Sequence, residues 1–323
     1  MKNFIEIQGL KKSFGERKLF GKSENFLKAV DDVSLRIEKG KTLGLVGESG
    51  CGKSTLGRCI LRLADADEGK IFYEGNDLLS ISEKDFVPYR KKMQIVFQDP
   101  YSTLNPRMTV ASILKEIVKF HKIRKGKDVE VYICKLLDKV GLNKNAINKY
   151  PHEFSGGQRQ RVAIARALAV EPEFIVCDEP VSALDVSIQS QILNLLIDLQ
   201  KELGLTYLFI SHDLSVVKHI SDSIAVMYLG KVVEYGETNQ LFNDTFHPYT
   251  KTLLNSVPEP VVGSGRKSKS IAADITNAVI QTEGCSFQSR CKDVMEVCRK
   301  EFPEEYKEGE HNVYCHLKLM QGK

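Results

Sequence analysis

The sequence predicts an α/β protein: a largely parallel sheet with helices between its strands, a helical insert and a small cysteine-rich tail. Three observations carry this. Short apolar, strand-like runs alternate with amphipathic helical stretches through most of the 323 residues. One run, "TLGLVG", ends in a glycine-rich loop that opens directly into a helical stretch, "KSTLGRCILRL". Another, "FIVCDEP", ends in two adjacent acids.

Taken in order, "FIEIQGL" and "VSLRI" alternate apolar and polar residues, as half-buried strands do. "TLGLVG" and its helix follow, then the strand "MQIVFQ". From Met108 to Val170 the spacing is mainly helical, interrupted by "KIRKGK" and "GLNKN". "FIVCDEP" is the next strand and "SIQSQILNLLIDLQKEL" an amphipathic helix. "TYLFISHD" and "SIAVMYLG" read as strands, "KVVEYGE" as a strand with a turn. The expected organisation is an α/β core over 1–98 and 172–257, with a helical lobe over 99–171. A polar Gly/Ser/Lys segment over 258–284 reads as a linker, and 285–323 as the Cys-rich motif.

Composition narrows the class. Hydrophobic residues make up 42% and charged residues 27%, ordinary for a globular chain that builds its own core. The net charge of +4, from 46 basic and 42 acidic residues, gives no concentrated basic face, so no nucleic-acid partner is expected. No run approaches the roughly 18 apolar residues of a membrane span. "MKNFIEIQGL" lacks the apolar centre of a secretory signal. A cytoplasmic location is expected, with membrane attachment only through a partner.

Gly47, four residues, then Gly52-Lys53-Ser54 fits the phosphate-loop pattern G-x-x-x-x-G-K-[ST]. Glycines let the backbone wrap closely, so that its N–H groups point at phosphate oxygens, and the following helix adds its positive end. Lys53 would reach the β- and γ-phosphates and Ser54 would hold Mg²⁺. Asp178 and Glu179, closing an apolar strand, suit a metal's water shell and the polarisation of an attacking water.

The stretch "HEFSGGQRQRVAIARALAVEPEFIVCDEPVSALD" then decides the family. Over about residues 4–257 the chain resembles the ATPase subunits of ATP-binding cassette (ABC) transporters. The resemblance implies an ABC-type P-loop NTPase, with a RecA-like core, an antiparallel β subdomain and a helical signature subdomain. It implies ATP and Mg²⁺ as ligands. Gly47, Glu48, Ser49, Gly50, Cys51, Gly52, Lys53, Ser54 and Thr55 match the Walker A loop. Gln98 in "VFQDP" matches the glutamine that senses Mg²⁺ and water and faces the transmembrane subunit. Ser155, Gly156, Gly157 and Gln158 match the signature, which in the family acts on ATP held by the opposite subunit. Asp178 matches the Walker B aspartate, Glu179 the catalytic glutamate, Asp185 the D-loop aspartate and His212 the switch histidine. Phe14 falls where the family stacks an aromatic on adenine. Cys51, at a variable loop position, is expected to play no chemical part, and Cys59, Cys134 and Cys177 read as small buried hydrophobes.

Four features resemble the oligopeptide/dipeptide importer ATPases, in particular the F-type subunit. They are the insert "GERKLFGKSENFLKAVDDVSL", then "VFQDPYSTLNPRMTV" and "HPYTKTLLNSVPEP", and the Cys-bearing tail. This implies peptide import by a machine of two permeases, two different ATPases and an external binding protein. Tyr101–Arg107 would receive a permease helix. Import of nickel or another small solute is the alternative within the family. A non-transport ABC ATPase, or a scaffold with dead sites, are alternatives outside it. A single cassette argues against the first, and intact Lys53, Glu179 and His212 argue against the second.

The tail spaces Cys285, Cys291, Cys298 and Cys315 as C-x₅-C-x₆-C-x₁₆-C. That fits neither zinc fingers nor ferredoxin runs. The likeness to dipeptide-importer tails, some of which carry a [4Fe–4S] cluster, is what points to iron–sulfur on these four residues. Zinc with His311 or His316, and a packed tail of free thiols, remain as alternatives.

Overall fold

The computed structural model describes residues 3–15, 27–255 and 283–321. The expected linker lies outside them except for its last two positions, as does most of the insert after Phe14.

In chain order the strands and helices begin with β1 (Asn3–Phe14), β2 (Leu27–Glu38), β3 (Thr42–Val46), α1 (Lys53–Ile60), β4 (Glu68–Tyr73) and β5 (Asn76–Asp77). The middle of the chain gives α2 (Glu83–Phe86), α3 (Tyr89–Lys92), β6 (Met93–Val96), α4 (Pro100–Thr103), α5 (Val110–Phe120), α6 (Asp128–Lys139) and α7 (Gly156–Leu168). Then come β7 (Phe174–Asp178), α8 (Val186–Leu203), β8 (Thr206–Ser211), α9 (Leu214–Ile220), β9 (Ser223–Tyr228) and β10 (Lys231–Glu237). α10 (Thr238–Asn243), α11 (Pro248–Asn255), α12 (Glu296–Lys300), β11 (Glu305–Glu308), β12 (His311–Tyr314) and α13 (His316–Gln321) complete it.

These elements fall into two compact units. The first is drawn from Met1–Ile5, Ile37–Thr42 and Glu74–Ser211. In it β6, β7 and β8 run parallel, with Met93 opposite Phe174 and Phe174 opposite Thr206. Every residue of β7 and β8 is buried, as for strands covered on both faces. Helices α5, α6 and α7 pack on one another. α5 begins where the Thr109 hydroxyl accepts from the Ser112 N–H, and it buries Val110, Ile113, Leu114 and Val118 along one face.

The second unit takes in Glu6–Arg36, Leu43–Tyr73 and His212–Lys323. β1 lies between β2 and β4. β3 and β9 pair in parallel, Val46 opposite Val226. From β9 onwards the pairing turns antiparallel, through β10 and β12 to β11. The cause is local. Leu229 and Gly230, with φ of 43° and 83°, make a two-residue turn of the kind that closes a hairpin. The tail adds a second hairpin, turning at Gly309, whose inner strand lies along β10 with Val313 opposite Glu234. Among the described residues no helix is long and apolar enough to cross a membrane.

Candidate nucleotide site

In the second unit, the fully buried β3 delivers the chain into the loop Gly47–Gly52, and α1 starts at Lys53. Gly47, Gly50 and Gly52 all have positive φ, of 156°, 80° and 106°. At two of them space is as limiting as conformation. A Cβ on Gly52 would lie 1.8 Å from the Ala29 carbonyl oxygen, and one on Gly47 would lie 2.1 Å from that of Met227. Glycine is what allows the loop to wrap this tightly. Gly52 caps α1 without a side-chain acceptor, and the helix start places its positive end at the loop.

Lys53 is only 4% exposed. Its Nζ donates to the Gly47 and Glu48 carbonyls at 2.7 and 2.8 Å, which holds the ammonium inside the loop. Cys51 is buried beside it, and burial raises its thiol pKa. Ser54 and Thr55 are half-buried in the first turn of α1, while Glu48 is half-buried and Ser49 exposed. This cradle fits a polyphosphate: backbone donors, a helix start and one fixed cation.

The first unit carries the acidic residues. Asp178 is the last residue of β7 and is 4% exposed. A nearly buried carboxylate of this kind is a hard oxygen donor suited to Mg²⁺. Glu179 follows at φ 47°, its N–H donating to the Ile210 carbonyl at 3.0 Å. This left-handed turn carries its side chain away from the strand, and the carboxylate Oε2 accepts from the Gln98 amide at 3.2 Å. Gln98 is exposed just beyond β6, and Asp99 caps α4 by accepting from the Tyr101 N–H.

The signature is built as a helix start. Ser155 Oγ accepts from the Gln158 N–H, and Gln158 Oε1 accepts from the Ser155 N–H, a reciprocal capping box on α7. Here the glycines serve packing. A Cβ on Gly157 would come within 2.5 Å of Ile188 Cγ2 on α8, and one on Gly156 within 3.2 Å of Leu184. The D-loop turns back on itself, with Ser182 Oγ donating to the Glu179 carbonyl. Gln189 ties down both the Val181 and Leu184 carbonyls. Asp185 caps α8 with its carbonyl while its side chain makes no capping bond. His212, in the second unit, is exposed immediately after β8. Phe14, at the end of β1, is 47% exposed, with the Lys12 ammonium 5.4 Å from its ring.

The tail departs from the metal-ligand expectation. Cys285, Cys291, Cys298 and Cys315 do line one cavity, with His247, His316, Phe287, Met295 and Leu317. Yet among the described residues no three His, Cys, Asp or Glu side chains stand where they could hold a metal ion. All four are free cysteines. Burial raises the thiol of Cys285 to about 11 and also raises those of Cys291 and Cys315. A cluster needs thiolates converging on one centre. The four sulfurs share this cavity, but with no such ligand set among the described residues the iron–sulfur assignment is not supported. Cys59 and Cys177 are buried as expected, while Cys134 is half-buried.

Two residues beside the phosphate loop had no assigned role. Tyr249 Oη accepts from the Glu48 N–H at 3.0 Å, and Arg290 grips the Glu48 carboxylate with both terminal nitrogens, at 2.7 and 2.8 Å. "HPYT" was visible as a family feature, but nothing in the sequence tied it to the loop.

Residues 30–182 match the ABC transporter family, and residues 233–298 the oligopeptide/dipeptide transporter C-terminal region. The oligopeptide transport ATP-binding protein AppF of Bacillus subtilis is 47% identical over 97% of this chain and 97% of its own. The oligopeptide transport ATP-binding protein OppF of the same organism is 55% identical over 79% of this chain and 83% of its own. Among solved structures, the dimeric post-hydrolysis state of the ATP-binding cassette MJ0796 with ADP and Pi superposes with a TM-score of 0.63 at 27% identity. It covers 72% of this chain and 98% of that one. Ordered motifs, glycine-lined loop and full-length similarity agree: the chain belongs to the ABC transporter ATPases, in the branch of the oligopeptide and dipeptide transport ATP-binding proteins.

Proposed function

We propose that this chain is an F-type ATPase subunit that powers import of di- and oligopeptides. The observation that carries the reading is its 47% identity to an oligopeptide transport ATP-binding protein over 97% of the chain, tail region included. In this reading Lys53 and the N–H groups of Gly47–Thr55 hold the phosphates, and Phe14 stacks on adenine. Ser54, Gln98 and Asp178 hold Mg²⁺, which when bound neutralises charge on the phosphate oxygens. Glu179 orients and polarises the attacking water, and His212 senses the γ-phosphate. Ser155, Gly156, Gly157 and Gln158 act on the ATP of a second, homologous ATPase subunit, with Asp185 at that junction. Closure of the pair follows from differential affinity for the ATP-bound state, and hydrolysis releases it.

Two permeases and an extracytoplasmic binding protein complete the assembly, with this chain on the cytoplasmic face and Tyr101–Arg107 against a permease. What supports that last contact is the exposure of Tyr101, beneath which Arg159 sits 5.5 Å from the ring. A [4Fe–4S] cluster, or zinc, is the finer reading of the tail. The cavity shared by the four cysteines supports it, and the missing ligand set opposes it. Iron and zinc analysis of anaerobically purified protein decides between them and free thiols. The substrate is tested by reconstituting the assembled transporter. Defined di- to pentapeptides should stimulate its ATPase activity, whereas stimulation by Ni²⁺ alone would move the chain to the nickel branch.

A further inference from the structure

One side chain of the tail, Arg290, reaches the phosphate loop. Arg290 lies in a turn fixed at several points. Its own N–H donates to the Phe287 carbonyl, Gln288 N–H to Cys285, and Cys285 N–H to Cys298. Gly284 must be glycine for this turn, since its φ is 86° and a Cβ would meet the Cys298 carbonyl at 2.3 Å. The tail is itself anchored. β12 pairs with β10, and His311 Nε2 shares a fully buried 2.9 Å hydrogen bond with Glu234. Glu234 also accepts from the N–H groups of Phe246 and His247, just before Tyr249.

From this platform the guanidinium extends to Glu48, the first variable position of the phosphate loop. The contact is a two-pronged, charge-assisted pair, each side chain only 21% exposed. The Arg290 guanidinium lies 5.8 Å from the rings of both Tyr228 and Phe287. Tyr228 and Tyr249 pack at 4.5 Å, and Phe287 joins both at 5.3 Å. Glu48 is thus held at two points, its carboxylate by Arg290 and its N–H by Tyr249. Its carbonyl in turn receives the Lys53 ammonium. A continuous line of contacts runs from the tail to the lysine of the phosphate loop.

We propose that Arg290 is a positioning residue for nucleotide binding: by clamping Glu48 it preorganises the phosphate loop, so that the C-terminal tail sets the affinity for ATP. Holding the loop in its binding shape before ATP arrives removes an ordering cost that binding would otherwise bear. The clamp rests on the reading of this loop as the ATP site, and it gives the tail a role other than metal binding.

The test is the dissociation constant for Mg-ATP, measured by equilibrium dialysis on the full chain. Wild type is compared with Arg290→Ala, Glu48→Ala and the double variant, each with its urea unfolding midpoint. Arg290→Ala should weaken binding roughly three- to fivefold, the scale of a partly buried ion pair. Glu48→Ala should do the same, and the double variant should be no worse than either, because the two act through one contact. Arg290→Lys keeps the charge without the fork and should fall between wild type and alanine. It also decides the question should the alanine variant fail to fold. Binding within twofold of wild type in folded Arg290→Ala, whatever its unfolding midpoint, would overturn the clamp, as would single-variant effects that multiply or, where the alanine variant does not fold, binding by Arg290→Lys equal to wild type. A wild-type chain that binds no ATP would overturn the underlying reading of the loop, and the clamp with it.

Discussion

The Gln98 side-chain amide donates to the Glu179 carboxylate across 3.2 Å, joining the residue after β6 to the residue after β7. The two strands run parallel and in register, so their ends lie side by side. The positive φ of Glu179 aims its carboxylate towards Gln98. Gln98, three residues before Tyr101–Arg107, the segment proposed to meet a permease, thereby touches the proposed base. Glu179→Gln should cut ATP hydrolysis by about 10²–10⁴-fold while leaving ATP binding intact. The check is steady-state turnover alongside nucleotide binding, with the partner's own site disabled. Near-normal turnover would remove Glu179 from the base role.

Gly52 tests the cradle. An alanine there carries both a positive φ and a Cβ 1.8 Å from the Ala29 carbonyl oxygen, so the loop must move. Strain of roughly 1–3 kcal/mol is expected, felt as ATP binding about tenfold weaker or worse. Gly50, which has nothing within 4 Å of its Cβ position, bears only the cost of its positive φ and should respond less. Calorimetric titration with ATP would rank the two variants.

At the signature, Gly157→Ala should destabilise the protein by about 1–3 kcal/mol, because its Cβ enters the space of Ile188 Cγ2. Ile188→Ala in the same chain opens that space and should recover much of the loss. Urea midpoints of the two single variants and the double variant give the coupling. Additive losses would show that Gly157 is not constrained by α8.

His247 gives the fold an acid limit. Burial lowers its pKa to about 4, opposed by the nearby Glu234 carboxylate, so the imidazole is neutral in the folded chain. The unfolded chain, with an ordinary value near 6.5, takes up a proton first. The stabilisation is full above about pH 6.5 and is lost as pH falls towards about 4, at up to about 1.4 kcal/mol per pH unit. His247→Gln should flatten that slope in urea titrations between pH 7 and 5. An unchanged slope would assign the acid loss to other groups.

Legibility in the sequence followed locality. The phosphate loop, the acidic end of β7 and the capped start of α7 are each contained in a few consecutive residues, and short-range spacing revealed them. The parallel strands were readable because the centres of β7 and β8 are short, nearly continuous apolar runs, buried on both faces. The turn to antiparallel pairing was not, because the Leu229–Gly230 hairpin lacks the usual Asn-Gly or Asp-Gly signal. β11 was hidden in "EYKE", an edge strand of mostly exposed polar residues. Arg290 and Glu48 stand 242 positions apart, and no spacing rule connects them. That Gly157 makes room for Ile188 needed the packing of α7 on α8.

The central claim is that hydrolysis at this chain's site drives peptide across a membrane. It is tested most directly by ATP-dependent accumulation of a labelled tripeptide in proteoliposomes holding the complete transporter, assembled with either the wild-type chain or Glu179→Gln. The account predicts accumulation with wild type and ATP, and loss of most of it with Glu179→Gln although that chain still binds ATP and assembles. Equal accumulation with the two chains would contradict it.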